Sequence, residues 1–180
     1  RVFAVLEVGA RDGLAQSTTA LLERNGSWVG ACVEANPIEF DALSRNRPRC
    51  VSVHAVAASH RGFVEFWHPE KAGVTANALA GMKETHSRFG RLDSETLAAG
   101  DVLTSTRLFA APLHVLVQAT APHLRRLSLL SLDVNGAERD VLAAFDFDAV
   151  KVDIVLVDGG AHVDEIAPVS YTHLRAHETR

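Results

Sequence analysis

One stretch constrains this chain more than any other: Phe3-Ala-Val-Leu-Glu7-Val-Gly9-Ala-Arg-Asp-Gly13, an apolar run that ends in a carboxylate and then in two glycines. Val2 to Val8 is almost continuously apolar, as expected of a strand buried on both faces of a parallel sheet, and Gly9 and Gly13 let the backbone turn closely beneath a ligand. Strand, tight loop and helix start, in that order, put a nucleotide-type cofactor at the carboxyl edge of the sheet, with Glu7, Gly9 and Gly13 as candidate contacts. A dinucleotide fingerprint needs Gly-x-Gly-x-x-Gly to bring backbone against a pyrophosphate. Glu7-x-Gly9-x-x-x-Gly13 lacks the middle glycine, which favours a cofactor without phosphates such as S-adenosylmethionine. A buried strand followed by an ordinary left-handed turn gives the same letters, so a second signal matters. Glu34 supplies it: it ends the apolar run Trp28 to Val33 and lies 21 residues beyond Gly13, near the spacing at which a carboxylate grips a ribose diol.

The chain has 180 residues, 47% of them hydrophobic, which suits one α/β domain. A charged fraction of 22% and a formal net charge of -4 leave no electrostatic footprint for nucleic acid or for an anionic membrane surface. Cys32 and Cys50 both fall inside predicted strands and read as buried free thiols rather than a disulfide or a metal site, which fits a reducing cytoplasm. No apolar run is long enough to span a bilayer, and no signal-peptide pattern is present. The start at Arg1, directly before a strand, reads as a fragment. Residues 169 to 180 lack a core-facing period and resemble translated read-through, which leaves 1 to 168 as the domain, incomplete at both ends.

Along the chain, Leu14 to Arg24 reads as the first helix, with Leu14, Leu21 and Leu22 on one face and Asn25-Gly26 closing it. The second helix begins with Asn36 as cap, Pro37 at its first position and Glu39 completing a capping box, and it stops at Asn46-Arg47-Pro48. Cys50 to Ala58 reads as the third strand and Phe63 to Trp67 as a short extra one. Residues 68 to 110 carry no sustained apolar period; a loop this long reads as a lid or substrate loop, with disorder as the plain alternative. Leu113 to Ala119 reads as a helix, Leu127 to Val134 as the fourth strand, Ala137 to Phe145 as a helix and Asp153 to Val157 as the fifth strand, ending at Asp158. A right-handed first half gives strand order 3-2-1-4-5 in a doubly wound, mostly parallel sheet.

The ordered motifs Glu7-Val-Gly-Ala-Arg-Asp-Gly13, Ser17-x-Thr19, Trp28-x-Gly30, Val33-Glu-Ala-Asn-Pro37, Asn46-Arg47 and Leu132-Asp-Val-Asn-Gly-Ala-Glu138 resemble the FkbM-type methyltransferases over roughly residues 1 to 160. The resemblance implies a Rossmann-like, S-adenosylmethionine-dependent enzyme that O-methylates sugars or natural products. Seven strands are implied, so the sheet is expected to be cut after the fifth, whose edge is then unprotected. Two departures from the family pattern stand out: Asn135 where Glu is usual, and Thr18 where Asn is usual.

Ser17 and Thr19 are either helix-surface hydroxyls or contacts for the cofactor's amino-acid end. Ser59, with His60 beside it, sits in the turn after strand three, where this class meets adenine. Asp133 and Asp158 close neighbouring strands about 5 Å apart, so both should face one pocket. Asp133 then positions or deprotonates an acceptor hydroxyl, or merely caps the following turn. Glu138, in the first turn of its helix, either joins the catalysis or only complements the helix dipole. With Asn135 the two aspartates form a hard-oxygen set that some related enzymes use for Mg²⁺, but the metal-free reading is preferred. The expected partner is a small-molecule or glycan hydroxyl. The competing functions are an NAD-linked oxidoreductase on the same sheet, a nucleotide- or glycan-binding module without chemistry, and an inert fragment.

Overall fold

The computed structural model describes residues 2–24, 26–70, 81–82 and 103–158. At its centre is a five-stranded, wholly parallel sheet. In chain order its strands are β1 (Phe3–Val8), β2 (Trp28–Glu34), β3 (Val51–His54), β9 (Leu129–Leu132) and β11 (Val155–Val157). They lie in the order β11-β9-β1-β2-β3, which is the expected 3-2-1-4-5 counted over parallel strands. The order follows from burial: Val5, Leu6 and Val8 of β1 and Leu130 and Leu132 of β9 are all buried, so these strands occupy the middle. Among the described residues β11 pairs with β9 alone, Val157 opposite Leu132, and stands at the end of the sheet.

Helices cover both faces. On one, α3 (Leu113–Thr120) and α4 (Glu138–Ala143) bury Leu113, Leu116, Val117, Val141 and Leu142 against Leu6, Val8, Ala31, Val33, Leu130 and Leu132. Each such side chain is worth roughly 1.5–3 kcal/mol of transfer free energy, so this face anchors the domain. The opposite face is different. There Glu7 lies beside Cys32 on one neighbouring strand and Ser131 on the other, and it is covered by α1 (Ala20–Arg24) and α2 (Pro37–Asn46). Asn36 caps α2 as expected, accepting from the Ile38 amide at 3.0 Å with Pro37 at the first helical position.

A second sheet of four strands, in the order β4-β7-β5-β6, consists of β4 (Val56–Ala57), β5 (Gly62–Pro69), β6 (Gly81–Met82) and β7 (Leu103–Ala111). A third, two-stranded sheet pairs β8 (Arg126–Leu127) with β10 (Lys151–Val152).

Four expectations need correction. Leu14 to Arg24 is not one helix. Only Ala20–Arg24 is helical, Gln16 has φ of 60°, and Leu14 and Leu21 are exposed. The Asp12 carboxylate takes the amides of Leu14 and Ala15 at 2.9 and 2.7 Å, and Glu7 takes that of Thr18 at 2.9 Å, so the backbone donors a helix would use are already satisfied. The predicted third strand is split at Ala55, its two halves joining different sheets. Leu127 to Val134 divides likewise: Leu127 belongs to β8, and β9 ends at Leu132. Finally, residues 68 to 110 were expected to be loop, yet β5 runs to Pro69 and β7 spans nine residues paired antiparallel to it. Of the lid or substrate loop expected over 68 to 110, residues 71–80 and 83–102 lie outside the described residues, as do Asn25 and the tail 169–180.

Candidate functional site

Glu7 is the hub of the site. It is buried, at the penultimate position of β1, and its two oxygens collect the far end of the loop that follows, Ser17 to Thr19. Oε1 accepts from the Thr18 amide at 2.9 Å and from its hydroxyl at 3.3 Å, while Oε2 accepts from Ser17 Oγ at 2.8 Å and Thr19 Oγ1 at 2.6 Å. Arg47, buried at the end of α2, completes the shell with Nη1 on Oε2 at 2.5 Å. The same guanidinium bonds Glu23 and, through Nη2, Thr19 Oγ1 at 2.9 Å. A charge in a buried site is tolerable only when paired and hydrogen-bonded; here Glu7 and Glu23 share the one Arg47 cation, and the hydroxyls and amide on Glu7 supply the rest. Glu7 and Ser17 therefore shape the loop, and the Ser17 hydroxyl also takes the Ala20 amide at 3.0 Å.

The glycines are required by packing. Gly9 has φ of 76°, and a Cβ there would stand 1.8 Å from the Asp133 carbonyl oxygen, while one on Gly13 (φ 79°) would meet Leu43 Cδ1 at 2.6 Å and Arg47 Cδ at 2.9 Å. One close approach joins the β1 loop to the end of β9, the other to α2.

Glu34 closes β2 with its oxygens on two amides, Arg11 N at 2.7 Å and Asn36 N at 2.7 Å. Burial raises its carboxyl pKa to about 7 even though those amides favour the charged form. Arg11, with φ of 53°, is thereby fixed by its backbone to the end of β2.

On the other flank, Asp133 follows β9 and Asp158 follows β11. The Asp158 amide donates to the Leu132 carbonyl at 2.9 Å and that of Asp133 to Val8 at 3.0 Å, so the three strand ends are level. Burial, then the charges of Asp158 and Glu138, raise the Asp133 pKa, with Arg11 opposing them. Glu138 is buried and bonds the Val134 amide at 2.8 Å and the Gly136 amide at 3.1 Å, holding the Asp133-Val-Asn-Gly turn in which Asn135 has φ of 53°.

A cavity of about 350 Å³ opens at these strand ends. Of the residues singled out from sequence it brings together Glu7, Gly9, Ser17, Asp133 and Asp158, joined by Arg11, Gln16, Thr18 and Ser131. It does not include Gly13, Glu34, Ser59 or Glu138. Ser59 is exposed in the bend after β4. Sequence reasoning missed Arg11, Gln16 and Ser131 as lining residues and Arg47 as the partner of Glu7. Arg47 left two signals, as the residue that ends a capped helix just before a proline and as part of the Asn46-Arg47 motif of the family resemblance, but neither points to Glu7.

A family model described as the methyltransferase FkbM domain matches residues 7–177. The chain belongs to the FkbM methyltransferase family. Neither curated proteins nor solved structures gave a match. Family and fold agree: a parallel sheet in this strand order carries the methyltransferase's cavity at its carboxyl edge, at the crevice where strand order reverses about β1. No helix among the described residues is long and apolar enough to cross a membrane.

Cys32 and Cys50 are free and buried. Their sulfurs and a Glu23 carboxylate oxygen lie within 4.8 Å of one another, the one such group among the described residues with metal-ligand chemistry. Arg47 already compensates the Glu23 charge, and a hydrogen bond to Cys32 together with burial raises the Cys50 thiol well above its ordinary value. A thiol held protonated in this way, as Cys50 is, is a poor ligand and a poor nucleophile.

Proposed function

We propose that this member of the FkbM methyltransferase family transfers a methyl group from S-adenosylmethionine to a hydroxyl of a small molecule or glycan, without a metal. The observation that carries the reading is Asp133 in the lining of the cavity, its pKa raised by burial and by Asp158, with its backbone packed against Gly9 of the loop after β1.

The donor groups fit this cofactor better than a dinucleotide. Glu34 accepts from the amides of Arg11, Asn36 and Ala35 and keeps a lone pair beyond these; it stands outside the cavity lining, and we assign it to the ribose hydroxyls on the β2 side. Position 11, where a dinucleotide fingerprint has its middle glycine, carries an arginine side chain that lines the cavity, so backbone cannot approach a pyrophosphate there. When bound, S-adenosylmethionine supplies an electrophilic methyl group on a sulfonium. Glu7 and Arg47 hold the loop, Gly9 brings it against Asp133, Gly13 seats it on α2, Ser17 ties its far end to Glu7, and Ser59 is assigned to the adenine side.

Asp133 orients the acceptor hydroxyl and takes its proton as the oxygen attacks. A carboxylate with a raised pKa is a better base for that step than an exposed one. Glu138 fixes the turn that presents Asp133. Positioning supplies the larger share of the acceleration. Two free, buried thiols suit a reducing compartment, and we assign the protein to the cytoplasm.

Calorimetric titration with S-adenosylhomocysteine, S-adenosylmethionine and NAD tests the cofactor class without knowledge of the acceptor. Binding of the two sulfur nucleosides but not NAD is expected. Binding of NAD alone would overturn the reading in favour of an oxidoreductase.

A further inference from the structure

Among the residues that line the cavity, Arg11 is the one cation. Its backbone is fixed twice, by the positive φ and by the bond from its amide to Glu34, so the direction in which the side chain leaves the loop is set. Nη1 donates to Gln16 Oε1, a neutral acceptor. The Nε hydrogen is buried with no hydrogen-bond partner, and among the described residues Arg11 forms no ion pair. A buried guanidinium N–H without an acceptor is costly even on a half-buried side chain such as Arg11, and the fully buried Arg47 is by contrast saturated by Glu7, Glu23, Ser17 and Thr19.

An arginine edge presents parallel N–H groups that match a planar carboxylate. The Gln16 contact on Nη1 leaves the edge formed by Nε and Nη2 for such a partner. The two carboxylates that share the cavity, Asp133 and Asp158, disfavour a dianion more than a monoanion, so a phosphate is the poorer match.

We propose that Arg11 is the carboxylate anchor of the cavity, receiving the carboxylate of a bound ligand on its Nε–Nη2 edge. This rests on the methyltransferase reading, under which two ligands can bring that group: the amino-acid end of the cofactor, or an acidic acceptor such as a uronic acid or hydroxy acid. Charge pairing inside a cavity that also holds two aspartates confers selectivity: a carboxylate is admitted where the arginine stands and repelled elsewhere.

Calorimetry on the full chain, wild type and Arg11→Gln, with thermal unfolding as the folding control, separates these cases. Two matched pairs of probes are used. The first is S-adenosylhomocysteine against methylthioadenosine, which keeps the nucleoside and the sulfur and lacks the amino-acid end. The second is glucuronate against glucose, measured on both free and nucleoside-loaded protein. The expected result is that Arg11→Gln weakens the carboxylate-bearing member of one pair at least tenfold while its neutral counterpart stays within twofold. Loss in the first pair identifies the cofactor as the source, and loss in the second identifies the acceptor. Arg11→Lys, which keeps the charge without the fork, should show an intermediate loss and serves if the glutamine variant unfolds.

Equal weakening of both members of each pair, or no change in any, overturns the anchor role and leaves Arg11 a loop residue. If the wild type binds neither nucleoside, the methyltransferase reading falls. The glucuronate pair on free protein still decides whether Arg11 receives a carboxylate.

Discussion

A Cβ on Gly9 would stand 1.8 Å from the carbonyl oxygen of Asp133. The neighbour is backbone, and no side-chain rotation relieves it. The residue that makes the loop glycine-rich and the proposed catalytic residue are thus bound by one packing constraint, which operates before any ligand arrives. Gly9→Ala combines this overlap with a left-handed φ. From roughly 1–3 kcal/mol for overpacking and roughly 1–2 kcal/mol for the conformation, we expect about 2–5 kcal/mol of destabilisation in the ligand-free protein. Urea unfolding measures it. A variant of unaltered stability that has lost only cofactor affinity would show that Gly9 serves the ligand instead.

How far the sequence anticipates this arrangement depends on where the decisive contacts lie. The parallel strands are legible because residues such as Val5, Leu6, Leu130 and Leu132 must be buried on both faces, and the Asn36–Pro37 helix start is local chemistry. Adjacency of Asp133 and Asp158 follows from strand order alone. What escapes is non-local. Strand β7 pairs with β5 across more than 30 residues, Gly62 opposite Ala110, and its polar run Thr104-Ser-Thr-Arg107 carries no hairpin signal nearby. The helix expected from Leu14 fails because a carboxylate on β1 outcompetes it for Thr18. Arg47 reaches Glu7 from 40 positions away, and no spacing rule encodes that pair.

That pair yields the second prediction. Arg47→Met leaves Glu7 and Glu23 buried without their cation, for which the expected loss is about 3–5 kcal/mol of stability. Adding Glu7→Gln should recover part of it, because one of the two carboxylates left unpaired is neutralised while Glu23 remains. A double-mutant cycle in urea tests the coupling. Strict additivity would mean that Arg47 stabilises through packing of its stem rather than through the carboxylates it holds.

Glu34 gives a prediction with a definite sign. Its folded-state pKa, raised from 4.5 to about 7, exceeds the unfolded value, so the folded state favours the protonated form. This contribution to stability is fully present below pH 4.5, declines as pH rises towards 7, and is gone above it. At 1.36 kcal/mol per unit the difference is about 3 kcal/mol. Comparing the pH dependence of unfolding in wild type and Glu34→Gln isolates it, and parallel curves between pH 4.5 and 7 would contradict it. Ribose hydroxyls donate best to the ionised form, so S-adenosylhomocysteine should bind more tightly as pH rises through about 7. The glutamine variant should lose that dependence, along with roughly 1.5–3 kcal/mol of affinity.

The last prediction concerns how its neighbours tune Asp133. Three carboxylates and one guanidinium meet at the strand ends: Asp158 and Glu138 push the Asp133 pKa up beyond what burial does, and Arg11 pulls it down. If Asp133 takes the acceptor's proton it must be ionised, so activity rises with pH through its pKa. Asp133→Asn should then lower kcat by about 10²–10⁴ with little change in S-adenosylhomocysteine affinity, the range for loss of a positioned base. The flanking charges provide a control that a merely structural Asp133 would not obey. Asp158→Asn removes a repulsion, lowers the Asp133 pKa and carries the acidic limb of the rate profile to lower pH. Arg11→Gln removes an attraction and carries it the other way. Methyl transfer from labelled S-adenosylmethionine to a panel of hydroxyl acceptors, measured from pH 5 to 9, reads both shifts. Full activity in Asp133→Asn would take the residue out of the chemistry, leaving it only the turn that Glu138 organises. Transfer abolished by EDTA and restored by Mg²⁺ would instead make Asp133 and Asp158 ligands, with the limb tracking metal occupancy rather than a proton on Asp133.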